Sequence, residues 1–122
     1  MKKVSSYKKK KQLRSQCDKL WYEAYLKPEC EVCGESATQV HHFYPKGLYG
    51  HLRYNRDNGI SLCVKCHFFH HHRGDPLIHQ AIIRARGKRW FNRLQKLARN
   101  RPKNFQTTLL YYKKIKEDLT KL

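Results

Sequence analysis

The stretch that decides the fold runs Cys30-Glu31-Val32-Cys33, then Val40-His41-His42-Phe43-Tyr44-Pro45, then Asn58-Gly59-Ile60-Ser61-Leu62-Cys63-Val64-Lys65-Cys66-His67, and closes at His71. Two Cys-x-x-Cys knuckles flank a pair of adjacent histidines. Each knuckle places two thiolates on one tight turn, and two such turns supply the four soft ligands of a tetrahedral Zn2+. Cys30, Cys33, Cys63 and Cys66 are therefore expected to hold a structural zinc. A redox disulfide pair is the competing reading, which two knuckles in one small basic chain disfavour. The site would clip the start of a hairpin to the start of a helix, so folding and metal binding are expected to be coupled.

Between the knuckles, Ser36 to Tyr44 reads as a strand, carrying the β-formers Thr38, Val40, Phe43 and Tyr44. Pro45 and Gly47 end it, and a polar loop with Gly50, Asn55, Asp57 and Gly59 follows. Ile60-Ser61-Leu62 is a short return strand, and the two are expected to pair as an antiparallel hairpin with a long loop. A helix begins near the second knuckle. His67 and His71 are four apart on it, so both imidazoles face one side. His41 and His42 are neighbours on a strand, so they face opposite ways. One of them can join the helical pair as a third ligand of a second metal while the other stays free. Three protein ligands leave positions open for water or substrate, the arrangement of a catalytic metal. A neutral imidazole beside such an ion suits general-base work. The competing reading has these histidines only packing, or binding a second structural metal.

The same residues resemble the HNH endonuclease motif in its four-cysteine zinc form, of phage type, over roughly the middle third of the chain. The letters fall on His42, Asn58 and His67. The resemblance implies an α+β fold: a small ββα-metal, treble-clef-like core, zinc-stabilised, with flanking α-helices. It implies that His42 is the general base that activates water. It implies that His41 and His67 bind the catalytic divalent ion, with His71 as a further ligand, similar to the colicin DNase branch. Asn58 would orient the hairpin loop and the His42 ring. Cleavage would leave 5′-phosphate and 3′-hydroxyl ends. Many members of that family have Asp where His41 stands. An all-imidazole site is softer, which admits Mn2+, Ni2+ or Zn2+ beside Mg2+.

The rest of the chain is basic throughout. Its 122 residues hold 27 Lys+Arg against 9 Asp+Glu, a net charge of +18. That balance points to a polyanionic partner, DNA above all, and away from a membrane surface. At 39% hydrophobic and 30% charged, a single domain of this size has a lean core that metal crosslinks would support. No apolar run is long enough for a membrane span. Met1-Lys2-Lys3-Val4 has no apolar segment behind it, so no secretory signal is expected. The expected location is cytoplasmic, in a bacterial host cell if the chain is phage-encoded.

Three regions are expected. Residues 1–11, with Lys2, Lys3 and Lys8 to Lys11, read as a flexible basic arm or a frayed helix. Residues 12–74 hold the core with its N-terminal helix, from about Gln12 to Leu26, stopped by Pro28. Cys17 shares its apolar face with Leu13, Leu20, Trp21 and Ala24, as a small buried hydrophobe. Residues 75–122 are a basic helical region. It starts at Asp75-Pro76, continues to about Asn100 with Gly87 as a kink or weak point, and breaks at Pro102. Phe105, Leu109, Tyr112, Ile115, Leu119 and Leu122 then form a seam for the domain or for a second copy. Lys46, Arg53, Arg56 and Arg73 near the core, and Arg86, Arg89 and Arg93 on the long helix, are the expected phosphate contacts. His70 and His72 read as surface or phosphate contacts, and His51 and His79 as structural or solvated.

The favoured function is a metal-dependent DNA endonuclease or nickase. The alternatives are a non-catalytic zinc-stabilised DNA-binding module, and a structural protein of a phage or bacterial nucleoprotein assembly, working beside packaging or recombination proteins.

Overall fold

The computed structural model describes residues 5–72 and 75–122, excluding the side chains of residues 70–72. Helix α1 (Ser6–Tyr25) starts six residues earlier than the apolar spacing predicts. Ser5 caps it, its hydroxyl accepting the Lys8 N–H at 3.2 Å. Lysine is a good helix former, so the run Lys8 to Lys11 continues the helix instead of forming an arm. What remains of the expected arm, residues 1–4, lies outside the described residues.

Strand β1 (Gln39–His42) pairs antiparallel with β2 (Gly59–Leu62), setting His41 opposite Ile60 and His42 opposite Gly59. The expected strand from Ser36 to Tyr44 is therefore shortened at both ends. The 43–58 connection contains two single 3-10 turns, Gly50–Leu52 and Arg56–Asn58. Helix α2 (Val64–His72) follows β2 directly. The predicted 75–100 helix is two helices, α3 (Pro76–Arg86) and α4 (Lys88–Arg99). Gly87 separates them at φ +97°, a left-handed value that an L side chain resists. Asp75 caps α3 by accepting the Leu77 N–H at 2.9 Å, as its place before Pro76 predicts. The last helix is α5 (Leu109–Thr120), capped by Thr108.

The fold is α+β, with a two-stranded sheet and five α-helices among the described residues. Two apolar clusters meet at the sheet. One gathers Phe43, Leu52, Ile60, Leu62, Ile82, Trp90 and Leu94 with three of the knuckle cysteines. The other gathers Cys17, Trp21, Val40, Tyr54, Tyr112 and Leu119, so the α5 seam packs on α1. Cys17 is fully buried there, its thiol 3.3 Å from the Tyr112 carbonyl. Each such large side chain contributes about 1.5–3 kcal/mol on burial. The outcome is a helical pair, α1 and α5, on one side of the hairpin and α3 and α4 on the other. Among the described residues no helix is long and apolar enough to cross a membrane.

Candidate functional site

The first knuckle turns at Gly34, whose φ is +80°. The Glu29–Ser36 bridge and the Cys30 N–H to Glu35 carbonyl bond (2.6 Å) close the turn. The second knuckle sits where β2 enters α2. The sulfurs of Cys30, Cys33, Cys63 and Cys66 all lie within 4.8 Å of one another, and those of Cys33 and Cys63 are 3.6 Å apart. Zn–S bonds of about 2.3 Å in a tetrahedron require sulfur separations of about 3.8 Å. The cluster is thus compatible with a structural metal such as zinc. It is the only group of three or more metal-type ligands this close among the described residues. Cys33 is exposed and the other three are buried.

The electrostatics of the thiols favour a cation. Burial pushes the Cys30 thiol up, but N–H groups aimed at its sulfur overcome this and bring it to about 7. Burial and the neighbouring thiols push Cys66 up. Four thiols at these separations cannot all ionise without a positive charge among them, which a divalent metal provides.

Because the cluster anchors the start of α2, it also sets where His67 stands. The His67 ring meets the His41 ring edge to face, with centroids 4.9 Å apart. The expected juxtaposition of a strand histidine and a helix histidine is therefore present. The side chain of His71 and all of Arg73 fall outside the described residues, so the third expected ligand and that basic contact have no place in this geometry.

His42 has a different environment. Its ring lies flat on the indole of Trp21, with centroids 4.4 Å apart and planes 6° from parallel. Its Nε2 is 2.9 Å from the Arg53 carbonyl. A carbonyl only accepts, so Nε2 carries the proton and Nδ1 keeps its lone pair. Burial lowers the His42 pKa from its usual value, the Arg53 carbonyl opposing this in part, which keeps the ring neutral at pH 7. His41, His42, His67, Trp21, Asp18 and Lys46 line one cavity of about 630 Å³.

Asn58 is fully buried and holds the hairpin loop, as expected. Its side chain bonds Tyr44 and Leu52. The ring of His42, which it was also expected to orient, is instead held by Trp21 and the Arg53 carbonyl.

The expected basic contacts divide. Lys46, Arg56, Arg89 and Arg93 are exposed. Arg53 and Arg86 are half-buried and each is paired with a carboxylate of the fold. Arg53 grips Asp18 with two bonds of 2.9 and 2.7 Å. Arg86 grips Glu31 through both Nε and Nη2 and also donates to the Gly59 carbonyl at 2.7 Å. His51 bonds the Leu97 carbonyl at 2.9 Å and His79 stacks on Phe43, so both are structural.

Trp21, Asp18 and Gly59 are the residues that spacing alone did not mark for the site. The available signal was faint: Asp18 and Trp21 are three apart on one helical face, and Gly59 follows Asn58. Compared with known protein families, with curated protein sequences and with solved structures, the chain finds no match in any of the three.

Proposed function

We propose that the protein is a metal-dependent DNA endonuclease or nickase of the HNH type, built on a zinc-stabilised ββα-metal core. One observation carries the reading. His42 is half-buried, neutral and held in the Nε2–H form, in the same cavity where His41 and His67 meet. Structural packing alone does not call for three imidazoles around a cavity of that size, next to a complete four-cysteine cluster.

In this reading the cysteine cluster would hold the structural zinc, and His41 and His67, with His71 as the further ligand the sequence offers, would hold a catalytic ion: Mg2+, Mn2+, Ni2+ or Zn2+. When bound, the ion neutralises charge on the scissile phosphate and on the leaving 3′ oxygen. His42 Nδ1 takes a proton from water as the water oxygen attacks phosphorus, and the P–O3′ bond breaks. Lys46, at the cavity, holds a neighbouring phosphate. The exposed cations of α4 hold the duplex further out.

The test is a plasmid assay on zinc-loaded protein. Supercoiled plasmid is nicked or cut when divalent metal is added, and EDTA stops it. His42→Ala abolishes cutting and leaves the fold, zinc content and DNA affinity near wild type. If no DNA form is cut with any of the four metals, the exposed basic face of α4 makes a zinc-stabilised DNA-binding module the better account.

A further inference from the structure

We infer that α1, which lies outside the Cys30–His71 stretch, is the positioning element for His42, with Trp21 and Asp18 as its positioning residues. The inference rests on the proposed role of His42 as general base.

An imidazole can fail as a base in three ways: its plane can tilt, its ring can flip, or its proton can sit on the wrong nitrogen. Each is restrained from α1. Trp21 covers one face of the His42 ring in near-parallel contact and so sets the plane. The Arg53 carbonyl takes the Nε2 proton, which sets both flip and tautomer. That carbonyl is itself held from α1. The Arg53 guanidinium makes its paired bonds to Asp18, and the next residue, Tyr54, donates its hydroxyl to Asp18 Oδ1 at 2.8 Å. One residue further on, the Asn55 carbonyl accepts the Trp21 indole N–H at 3.3 Å. Three consecutive residues of a long loop are thus gripped by two side chains one helical turn apart. The same two side chains line the cavity.

The contacts also leave the working edge open. The stack occupies a ring face and the carbonyl occupies Nε2, while Nδ1 has no hydrogen-bond partner among the described residues. A reacting group must be held within about 0.5 Å and 10–20° of its working geometry. The loop's own turns and the Asn58 bond to the Leu52 carbonyl hold the residues beside it, and the bonds from Asp18 and Trp21 hold the Arg53–Asn55 segment itself.

The test compares wild type, Trp21→Phe, Trp21→Leu, Asp18→Asn and His42→Ala in plasmid nicking over a range of DNA concentrations that yields kcat and KM separately. Folding and zinc content are checked first. Trp21→Phe keeps an aromatic face but loses the indole N–H bond to the Asn55 carbonyl, so it retains more turnover than Trp21→Leu and less than wild type. Trp21→Leu keeps bulk without the face. Asp18→Asn sets an amide NH2 against the guanidinium. Each of the latter two lowers kcat about 10²-fold with KM unchanged. A long-range 1H–15N spectrum, independent of activity, shows His42 as the pure Nε2–H form in wild type and Trp21→Phe. It shows a tautomer mixture in the two impaired variants. Wild-type kcat in Trp21→Leu and Asp18→Asn, with His42→Ala inactive, overturns the inference. So does a loss confined to KM, or a tautomer mixture in wild type. Wild-type cutting by His42→Ala overturns instead the reading beneath it. Should Trp21→Leu fail to fold, Asp18→Asn decides by the same criteria, being near-isosteric at a half-exposed position.

Discussion

Asn58 pairs with Tyr44 through both ends of its amide: Oδ1 accepts the Tyr44 N–H at 2.8 Å, and Nδ2 donates to the Tyr44 carbonyl at 3.1 Å. Nδ2 also donates to the Leu52 carbonyl at 3.2 Å. One side chain, wholly out of water, thereby joins the exit of β1, the middle of the loop and the entry of β2. Removing it orphans three backbone groups, each costing about 1–3 kcal/mol if no water reaches it. Asn58→Ala is expected to destabilise by about 2–4 kcal/mol in urea unfolding. Asn58→Asp is expected to be worse, because it turns a donor into an oxygen facing two carbonyls. A loss under about 0.5 kcal/mol would show that the loop does not depend on this amide.

The cysteine cluster predicts a metal dependence that Cys17 does not share. Purified protein is expected to carry zinc at the four-cysteine site. A strong chelator should unfold it, seen as loss of helical circular dichroism that added zinc restores. Cys33→Ser removes the exposed ligand and should lower zinc content. Cys17→Ala should leave zinc content intact, since Cys17 is buried between α1 and α5 with its thiol on the Tyr112 carbonyl. A chain that keeps its thermal transition after complete metal removal would rule out a structural role for the cluster.

Arg86 and Arg93 have the same chemistry and are expected to have opposite phenotypes. The Glu31 carboxylate, 10% exposed, receives Arg86, the Ser61 N–H at 2.7 Å and Lys27 at 3.5 Å. Glu31 is inside the first knuckle, so Arg86 ties the end of α3 to the cysteine cluster and to β2. Arg86→Ala leaves that carboxylate buried without its main partner, at a cost of about 2–4 kcal/mol. Arg93 is exposed on α4, among Arg89, Lys96 and Arg99, with no ion pair among the described residues. Arg93→Ala should change stability by less than about 0.5 kcal/mol. It should weaken duplex binding and reduce the log–log salt slope by about 0.9. Titrations at several salt concentrations, beside urea unfolding, separate the two. Equal slopes for wild type and Arg93→Ala would remove Arg93 from the proposed DNA-contacting surface.

What spacing could and could not show follows from the range of the interactions. Cys-x-x-Cys is a local turn, and hairpin partners are set by period-two patterning, so the cluster, the hairpin and the His41–His67 meeting were legible. The Asp75 cap was legible for the same reason. The boundary at Ser6 was misplaced because an apolar period marks only the stretch a helix buries, and the run Lys8 to Lys11 is charged and mostly exposed. Gly87 was visible as a weak point. Its positive φ, which breaks the helix outright, is a choice of backbone well that composition does not reveal. Arg53 and Arg86 could not be told from Arg56 and Arg93, because their carboxylates lie 35 and 55 residues away. The Trp21–His42 stack is hidden likewise. Helical spacing shows that Trp21 faces a core, not which ring it meets there.

Gly59 is needed for space. Its φ of −96° is open to any residue, but a Cβ there would lie 2.9 Å from Trp21 Cζ2 and 3.0 Å from Val40 Cγ1. Gly59 is also the cross-strand partner of His42, so the indole that covers the His42 ring rests on the strand at the one position with no side chain. Gly59→Ala must move that indole, and overpacking of this kind costs about 1–3 kcal/mol. Cutting should fall with stability, because the displaced ring is the one stacked on His42. The atoms that clash belong to the outer ring of the indole, so Trp21→Phe should relieve the strain. Gly59→Ala with Trp21→Phe is therefore expected to be more stable than the two separate effects add up to, by about 0.5–3 kcal/mol in a double-mutant cycle. Simple additivity would place the Gly59 requirement elsewhere, against Val40.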